Sequence, residues 1–111
     1  MTGAGQLSIV GLGPGGPEHR TRAAEDAVRA AEVVIGYRSY LAQCADLTGS
    51  HQVLVPGAMG AEQERAVDAV HAAADGQRVA LVSSGDAGIY GMASLALCTV
   101  AGLAADRKSV V

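Results

Sequence analysis

Two glycine-rich segments, each directly after a short apolar run, constrain the fold of this chain more than any other feature. Residues 83–94 follow the apolar run 79–82 and contain three glycines, and residues 11–17 follow the apolar run 7–10. A strand that ends in a glycine-rich turn and leads into a helix is where open α/β proteins bind small ligands. Two such turns in one short chain predict a ligand site built mostly from backbone groups.

Apolar runs alternate with helical patterns along the chain. Strands are predicted at residues 7–11, 32–36, 52–55 and 78–83, and the start of another strand is predicted within 106–111. Helices are predicted from Thr21, over 62–75 and over 89–101, with a short helix or ordered loop at 37–44. Alternating strands and helices imply right-handed crossovers. The predicted fold class is therefore α/β, a three-layer, mostly parallel sheet with flanking helices.

Local signals predict where these elements begin and end. The Thr21 hydroxyl can cap the first helix. Gly76 is expected to stop the helix over 62–75, and Pro56 and Gly57 to stop the third strand. The 62–75 helix is amphipathic, and its predicted inward residues are Ala66, Val67, Val70, Ala73 and Ala74.

Composition excludes several classes of protein. The chain has 111 residues, enough for one small domain, and a formal charge of −3 without a basic stripe, which argues against nucleic-acid binding. Cys44 and Cys98 match no metal-ligand spacing, so we expect free thiols in a reducing compartment and no metal site. No signal-peptide pattern is present, and the longest apolar stretch, 95–105, is too short to span a bilayer. We therefore expect a cytoplasmic protein without membrane contact.

The first glycine segment also spells a dinucleotide-binding fingerprint, with Gly11, Gly13 and Gly16 in the required spacing. That fingerprint needs a helix that begins within the glycines, so that its N-terminus meets a pyrophosphate. Here two prolines interrupt the segment, and the first good helix cap is Thr21. A dinucleotide-dependent oxidoreductase is thus an alternative that requires a helix start near Gly13. Glu32 lies where its ribose-binding acid is expected, although Glu32 fits the start of the second strand better.

Three segments together resemble one family. The run Gly11-Leu12-Gly13-Pro14-Gly15, followed by Thr21, resembles the opening motif of the tetrapyrrole methylases, which are two-domain α/β enzymes that use S-adenosylmethionine. Residues 31–41 resemble the second-strand segment of that family, in the Gly-Tyr form that is typical of its precorrin-3B C(17)-methyltransferase branch. Residues 79–94 are the most specific match, with Ala87 where that branch usually has proline. The resemblance covers residues 6–103, in the same order and spacing.

The resemblance implies a cofactor site for S-adenosylmethionine in a cleft between two domains. From the first loop it implies contacts from Gly13, Pro14 and Gly15. From the turn after the fourth strand, it implies contacts from Ser84, Gly85, Asp86 and Ile89. Backbone groups in open turns can hydrogen-bond such a ligand. Asp86 is expected either to accept from the ligand or to cap the following helix.

The resemblance implies C-methylation of a precorrin in corrin-ring biosynthesis. A precorrin is a polycarboxylate, so Arg38 is the predicted substrate-binding residue. Arg20 and Arg22 are expected either to gather near it and meet the same ligand, or to be solvated charges at helix ends, which is the usual case for surface charge. A related branch has an acidic proton acceptor at the end of the second strand, where this chain has Tyr37. Tyr37 is therefore a candidate catalytic residue, with packing as its alternative role. Methyl transfer from a sulfonium needs alignment rather than a metal or nucleophile.

Members of the family are much longer than this chain and are expected to be homodimers. We therefore expect residues 1–111 to be a truncated N-terminal, cofactor-side domain that lacks the second domain. Alone, such a chain is expected to bind S-adenosylmethionine weakly or not at all and to have no turnover. The alternative from another class is a non-catalytic half-domain that a partner chain completes.

Overall fold

The molecule is built around one parallel β-sheet. It is seen in a computed structural model that describes residues 5–13, 17–57, 62–83 and 108–111. Within these residues the strands are β1 (Gln6–Gly11), β2 (Val33–Tyr37), β3 (Val53–Gly57), β4 (Arg78–Ser83) and β5 (Lys108–Val110). They lie in the order β3-β2-β4-β1-β5, and every neighbouring pair is parallel. The predicted α/β class is confirmed.

Helices cover both faces of the sheet. The described helices are α1 (Arg22–Ala30), α2 (Arg38–Gln43) and α3 (Glu62–Ala74), and a 3₁₀ turn at Pro17–His19 precedes α1. One core, between the sheet and α3, contains Leu7, Ile9, Val33, Ile35, Ala66, Ala69, Val70, Ala73, Val79 and Leu81. The other, between the sheet and α1 with α2, contains Val10, Leu12, Ala24, Val28, Ala31, Val34, Leu41, Cys44, Leu47, Ala80 and Val82. The fold therefore has three layers, as predicted.

The predicted helix caps are confirmed. The Thr21 hydroxyl accepts a hydrogen bond from the Ala24 backbone N–H at 3.0 Å, so α1 begins at Arg22. Gly76 has a φ of +101°, a conformation that favours glycine, and its N–H donates to the Ala73 carbonyl at 3.0 Å. The predicted strand near the end of the sequence is also confirmed, because β5 pairs with β1.

Two local predictions are wrong. Strand β3 does not stop before Pro56 but continues through Gly57. Proline has no backbone N–H to donate to a neighbouring strand. Strand β3 tolerates it because β3 lies at the edge of the sheet and has a neighbouring strand on one side only. In α3, Ala74 is exposed rather than inward, and Ala69 lies in the core instead. The buried stripe follows spacings of three and four residues, and Ala74 falls beyond its edge.

The helix predicted over 89–101 lies outside the described residues. Among the helices that are described, none combines the length and apolar character that crossing a membrane requires.

Candidate functional site

The two glycine segments begin side by side at the carboxyl end of the sheet. Strands β1 and β4 are neighbours, and Gly11 pairs with Ser83 at the last position of their register. One residue further on, the Leu12 N–H donates to the Ser83 carbonyl at 2.7 Å. The carboxyl ends of parallel strands are where α/β proteins bind ligands. The segments that were predicted to share a ligand therefore leave the sheet at one place.

Most of the predicted cofactor residues lie outside the described part of the chain. These are Pro14, Gly15, Ser84, Gly85, Asp86 and Ile89. Gly13 and Ser83 are the last described residues before the two gaps that contain them. Contacts of all seven predicted residues, Gly13 included, with a cofactor remain a prediction.

Gly13 starts the first loop in a conformation that only glycine adopts readily. Its φ is +76°, and a Cβ at this position would stand 2.8 Å from the His19 carbonyl oxygen. The Gly13 carbonyl accepts a hydrogen bond from Gln43 Nε2 at 2.8 Å. Helix α2, which ends at Gln43, therefore holds the start of the first loop. No sequence motif marks Gln43 for this contact, which depends on the packing of α2 beside the first loop.

Arg20 is neither available for an anionic ligand nor a solvated charge, so both sequence-based expectations for it are wrong. Its side chain is only 2% exposed, and it donates to both carboxylate oxygens of Asp46, at 2.9 and 2.6 Å. Glu25 lies 3.3 Å from the same guanidinium. The hydrogen bonds from Arg20 lower the pKa of the Asp46 carboxyl, and those to Asp46 raise the pKa of Arg20. Asp46 and Glu25 therefore already neutralise the charge of Arg20.

Arg38 lies at the same end of the sheet and does face solvent. It is exposed and begins α2, directly after β2. No ion pair joins Arg38 to another described residue. Arg22 is likewise exposed, at the start of α1. Arg38 thus offers a cation at the carboxyl end of the sheet, and its role in binding substrate remains a prediction.

Tyr37, the candidate catalytic residue, makes a packing contact. Its ring meets that of Tyr40 edge to face, with 5.3 Å between ring centroids and 77° between the planes. Both tyrosines are half-buried. This geometry fits the packing role that was the alternative for Tyr37.

Cys44 is a free, buried cysteine, as expected, whereas Cys98 lies outside the described residues. Burial raises the pKa of the Cys44 thiol. A buried thiol that keeps its proton is a poor nucleophile or metal ligand.

The geometry does not meet the requirements of the dinucleotide alternative. Within residues 17–57, the helix after β1 begins at Arg22, and only the 3₁₀ turn comes before it. Glu32 precedes β2 at the amino end of the sheet, where its Oε1 accepts from the Arg78 N–H at 2.8 Å. A ribose-binding acid is needed at the opposite, carboxyl end.

The fold and the paired glycine segments define an α/β domain of the kind that binds a small ligand at the carboxyl ends of its strands. Comparison with known proteins narrows this class. A sequence model of the tetrapyrrole (corrin/porphyrin) methylases matches residues 6–106. The chain therefore belongs to the tetrapyrrole methylase family.

Curated relatives point to one branch of the family. The chain is 48% identical over 91 residues to a probable cobalt-factor III C(17)-methyltransferase of Salmonella typhimurium, covering 82% of this chain and 37% of that protein. It is 43% identical over 91 residues to the cobalt-factor III methyltransferase of Priestia megaterium, covering 82% of this chain and 17% of that protein. The chain thus spans well under half the length of these relatives.

Solved structures show the same fold. The methyltransferase CobJ superimposes with a TM-score of 0.80 at 30% identity, over 96% of this chain and 45% of that one. Uroporphyrin-III-C-methyltransferase from Thermus thermophilus gives a TM-score of 0.76 at 31% identity, over 97% of this chain and 47% of that one.

Proposed function

We propose that this chain is the cofactor-side part of an S-adenosylmethionine-dependent methyltransferase of cobalamin biosynthesis. Its acceptor is a precorrin-type macrocycle of the cobalt-factor III class, methylated at C(17). The observation that carries the proposal is the Leu12–Ser83 hydrogen bond. It brings the starts of the two glycine segments together at the carboxyl end of the sheet. The names of the relatives from S. typhimurium and P. megaterium support the acceptor class.

S-adenosylmethionine carries a sulfonium, an ammonium and a carboxylate, and backbone groups at the carboxyl end of the sheet can hydrogen-bond its polar groups. Gly13 presents backbone without a side chain, and Gln43 fixes its carbonyl. S-adenosylmethionine supplies an already activated methyl group, so the protein has to hold donor and acceptor in line. Good alignment contributes up to about 7–11 kcal/mol to such a step. We propose that Gly13, Pro14 and Gly15 contact the donor from one side, and that the residues of the second segment, Ser84, Gly85, Asp86 and Ile89, contact it from the other.

The acceptor is proposed to meet the chain at Arg38. A corrin precursor carries several carboxylates, and Arg38 is an exposed cation at the carboxyl end of the sheet. Tyr37 precedes Arg38 in the sequence, and we propose Tyr37 as the residue that carries a proton during the reaction. The substitution Arg38→Ala is expected to raise the KM for the acceptor and to leave the KM for the donor unchanged. Arg29→Ala is the matched control, because Arg29 is an exposed arginine in the last turn of α1, away from the carboxyl end of the sheet.

We further propose that residues 1–111 form the N-terminal domain of a two-domain enzyme, which in the family is expected to be a cytoplasmic homodimer. The coverage of 37% and 45% of two matched proteins supports this proposal. Alone, the chain is then expected to bind the donor weakly or not at all and to transfer no methyl group, because half of the cleft belongs to the second domain. Micromolar affinity of the isolated chain in calorimetry would contradict this.

The decisive experiment places this chain inside a longer enzyme. A chimera carries this chain in place of the matched segment of the S. typhimurium relative, and its folding is checked by circular dichroism. Radioactive methyl transfer from S-adenosylmethionine is measured with cobalt-factor III and with uroporphyrinogen III as acceptors. We expect transfer to the first acceptor and not to the second. Donor binding without transfer to cobalt-factor III would contradict the proposed acceptor. Loss of donor binding would contradict the proposed cofactor.

The half-domain alternative is tested separately. If a partner chain completes the site, this chain purifies in a complex from its own host, and its mass in light scattering exceeds that of one copy. A chain that stays alone under those conditions contradicts the alternative.

A further inference from the structure

Helix α2 ends beside the first glycine segment, and its last residue holds the start of that segment. Gln43 is half-buried, and its Nε2 donates to the Gly13 carbonyl at 2.8 Å. Gly13 is the second residue beyond β1, which ends at Gly11. The bond therefore acts at the point where the first glycine segment leaves the sheet.

The chain after the first glycine segment is held at the same place. Arg20 follows the 3₁₀ turn at Pro17–His19, and its backbone N–H donates to the Pro17 carbonyl at 3.1 Å. Its guanidinium donates to both carboxylate oxygens of Asp46, at 2.9 and 2.6 Å. Arg20 Nη1 also lies 3.5 Å from the Gln43 carbonyl oxygen. Gln43 and Asp46 therefore hold the chain on both sides of the first glycine segment.

Helix α2 is short and is fixed to the core. Leu41, Cys44 and Leu47 follow a spacing of three residues, and all three are buried in the core between the sheet and α1 with α2. The helix begins at Arg38 and ends at Gln43. At a rise of 1.5 Å per residue, these two residues lie roughly 7–8 Å apart along the helix axis. Because the helix is anchored, the separation between Arg38 and Gln43 is fixed.

This fixed separation matters for a reaction that depends on alignment. Methyl transfer from a sulfonium is an in-line displacement, and misplacing a reacting group by about 1 Å can cost about 100-fold in rate. Under the proposed function, Arg38 meets the acceptor and the first glycine segment meets the donor. Helix α2 touches both places, so it sets the position of the donor relative to the acceptor.

We propose that Gln43 is a positioning residue for methyl transfer. Through its bond to the Gly13 carbonyl, it keeps the first glycine segment, with the donor, in line with the acceptor at Arg38. This inference rests on the proposed function and adds to it a residue that touches neither substrate. The bond to Gly13, the Arg20–Asp46 pair and the anchored helix support it.

The test separates rate from affinity in the chimera with the S. typhimurium relative. Gln43→Met keeps the length of the side chain, and Gln43→Glu keeps its shape, but neither has an N–H to donate at neutral pH. Both variants are expected to lower the single-turnover rate of methyl transfer to cobalt-factor III, at saturating substrates, by about 10- to 100-fold. The dissociation constant of S-adenosylhomocysteine should rise less, by about 2- to 10-fold, the range for one hydrogen bond. Circular dichroism checks that each variant is folded.

The matched control is Gln77→Met, at an exposed glutamine that precedes β4 at the amino end of the sheet. It is expected to leave both the rate and the affinity unchanged. A single-turnover rate of Gln43→Met equal to that of the unsubstituted chimera overturns the assignment, even where the affinity falls. Lower stability alone, with the rate of the folded variant unchanged, also overturns it.

A second measurement needs neither a substitution nor turnover. In the isotope-labelled chimera, the side-chain amide signals of Gln43 are expected to shift during titration with S-adenosylhomocysteine, while those of Gln77 stay unchanged. Unshifted Gln43 signals in a chimera that binds the ligand overturn the assignment and leave the proposed cofactor intact. No binding by the unsubstituted chimera contradicts the proposed cofactor, and the assignment of Gln43 with it.

Discussion

The Leu12 N–H donates to the Ser83 carbonyl at 2.7 Å, one residue beyond the last paired position of β1 and β4. This bond extends the ladder between the two central strands to the point where both glycine segments leave the sheet. A change in either segment next to the sheet is therefore expected to affect the other. The predictions below test the contacts that hold this end of the molecule.

The Gly13 conformation is expected to be essential for the first loop. Gly13→Ala places a Cβ 2.8 Å from the His19 carbonyl oxygen at a φ of +76°. The strain of a left-handed alanine is about 1–2 kcal/mol, so the free energy of unfolding in urea should fall by at least that amount. Gly49→Ala is the control, because its Cβ would meet only the movable His51 side chain. Equal effects of the two substitutions would contradict the prediction.

The contact between Gly36 and Val82 is expected to tolerate no added methyl group. In Gly36→Ala the new Cβ lies 2.5 Å from Val82 Cγ2, so overpacking should lower the free energy of unfolding by about 1–3 kcal/mol. Removing the Val82 methyl groups relieves this clash in part, since the Val82 carbonyl oxygen stays 3.0 Å away. The double variant Gly36→Ala with Val82→Ala should therefore lose less than the sum of the two single losses. Strict additivity would count against a direct clash.

Asp46 is expected to make stability depend on pH. Hydrogen bonds from Arg20 lower the pKa of the Asp46 carboxyl in the folded chain. The stabilisation is therefore complete above the unfolded pKa of about 4 and is lost as pH falls through the lower folded value. The stability difference between the unsubstituted chain and Asp46→Asn should be largest near neutral pH and should vanish in acid.

Asp26→Asn is the control for this series of urea titrations. Asp26 pairs with Arg29 at 3.8 Å, and both side chains are more than half exposed. Such surface pairs contribute little, so Asp26→Asn should be close to neutral throughout. A difference for Asp46→Asn that does not change with pH would refute the charge-based explanation.

Gln52 is expected to hold the end of α1. Its Nε2 donates to the carbonyls of Val28 at 2.7 Å and Ala31 at 2.8 Å, and the side chain is buried. Gln52→Met removes both bonds and also the bond that Gln52 Oε1 accepts from the Gly49 N–H at 2.9 Å. The Val28 carbonyl keeps the Ala31 N–H as a donor at 3.3 Å, and the loss of the other bonds should cost about 1–3 kcal/mol in thermal or urea unfolding. The exposed Gln77 provides the matched control, Gln77→Met, with little expected effect. A neutral Gln52→Met would show that water satisfies these carbonyls.

Local chemistry made much of the fold predictable from sequence. Thr21 has the residue type of a helix cap, and the apolar run of β4 is bounded by Arg78 and Ser83, so both were located correctly. The predicted end of β3 before Pro56 was wrong, because the effect of proline depends on whether its strand lies at the edge of the sheet. The sequence does not show that position. Strand order is a property of the whole fold.

The candidate site was predictable only where a motif carries it. The two glycine segments marked the end of the sheet where a ligand is proposed to bind. For Arg20, the sequence left a ligand contact and a solvated helix end open, and both were wrong because its partner Asp46 lies 26 residues away in sequence. The contact of Gln43 with Gly13 was missed for the same reason, since it depends on tertiary neighbours.

The central claim is that both glycine segments bind one methyl donor at the carboxyl end of the sheet. Amide shifts of the isotope-labelled chimera with the S. typhimurium relative, in which the second domain completes the cleft, test it directly during titration with S-adenosylhomocysteine, the stable product of the donor. The account predicts that the amides of Leu12 and Ser83 shift together, with one dissociation constant, while those of Gln6 and Arg78 at the amino end of the same strands stay unchanged. Shifts confined to one segment, or centred on the amino end, would contradict the claim.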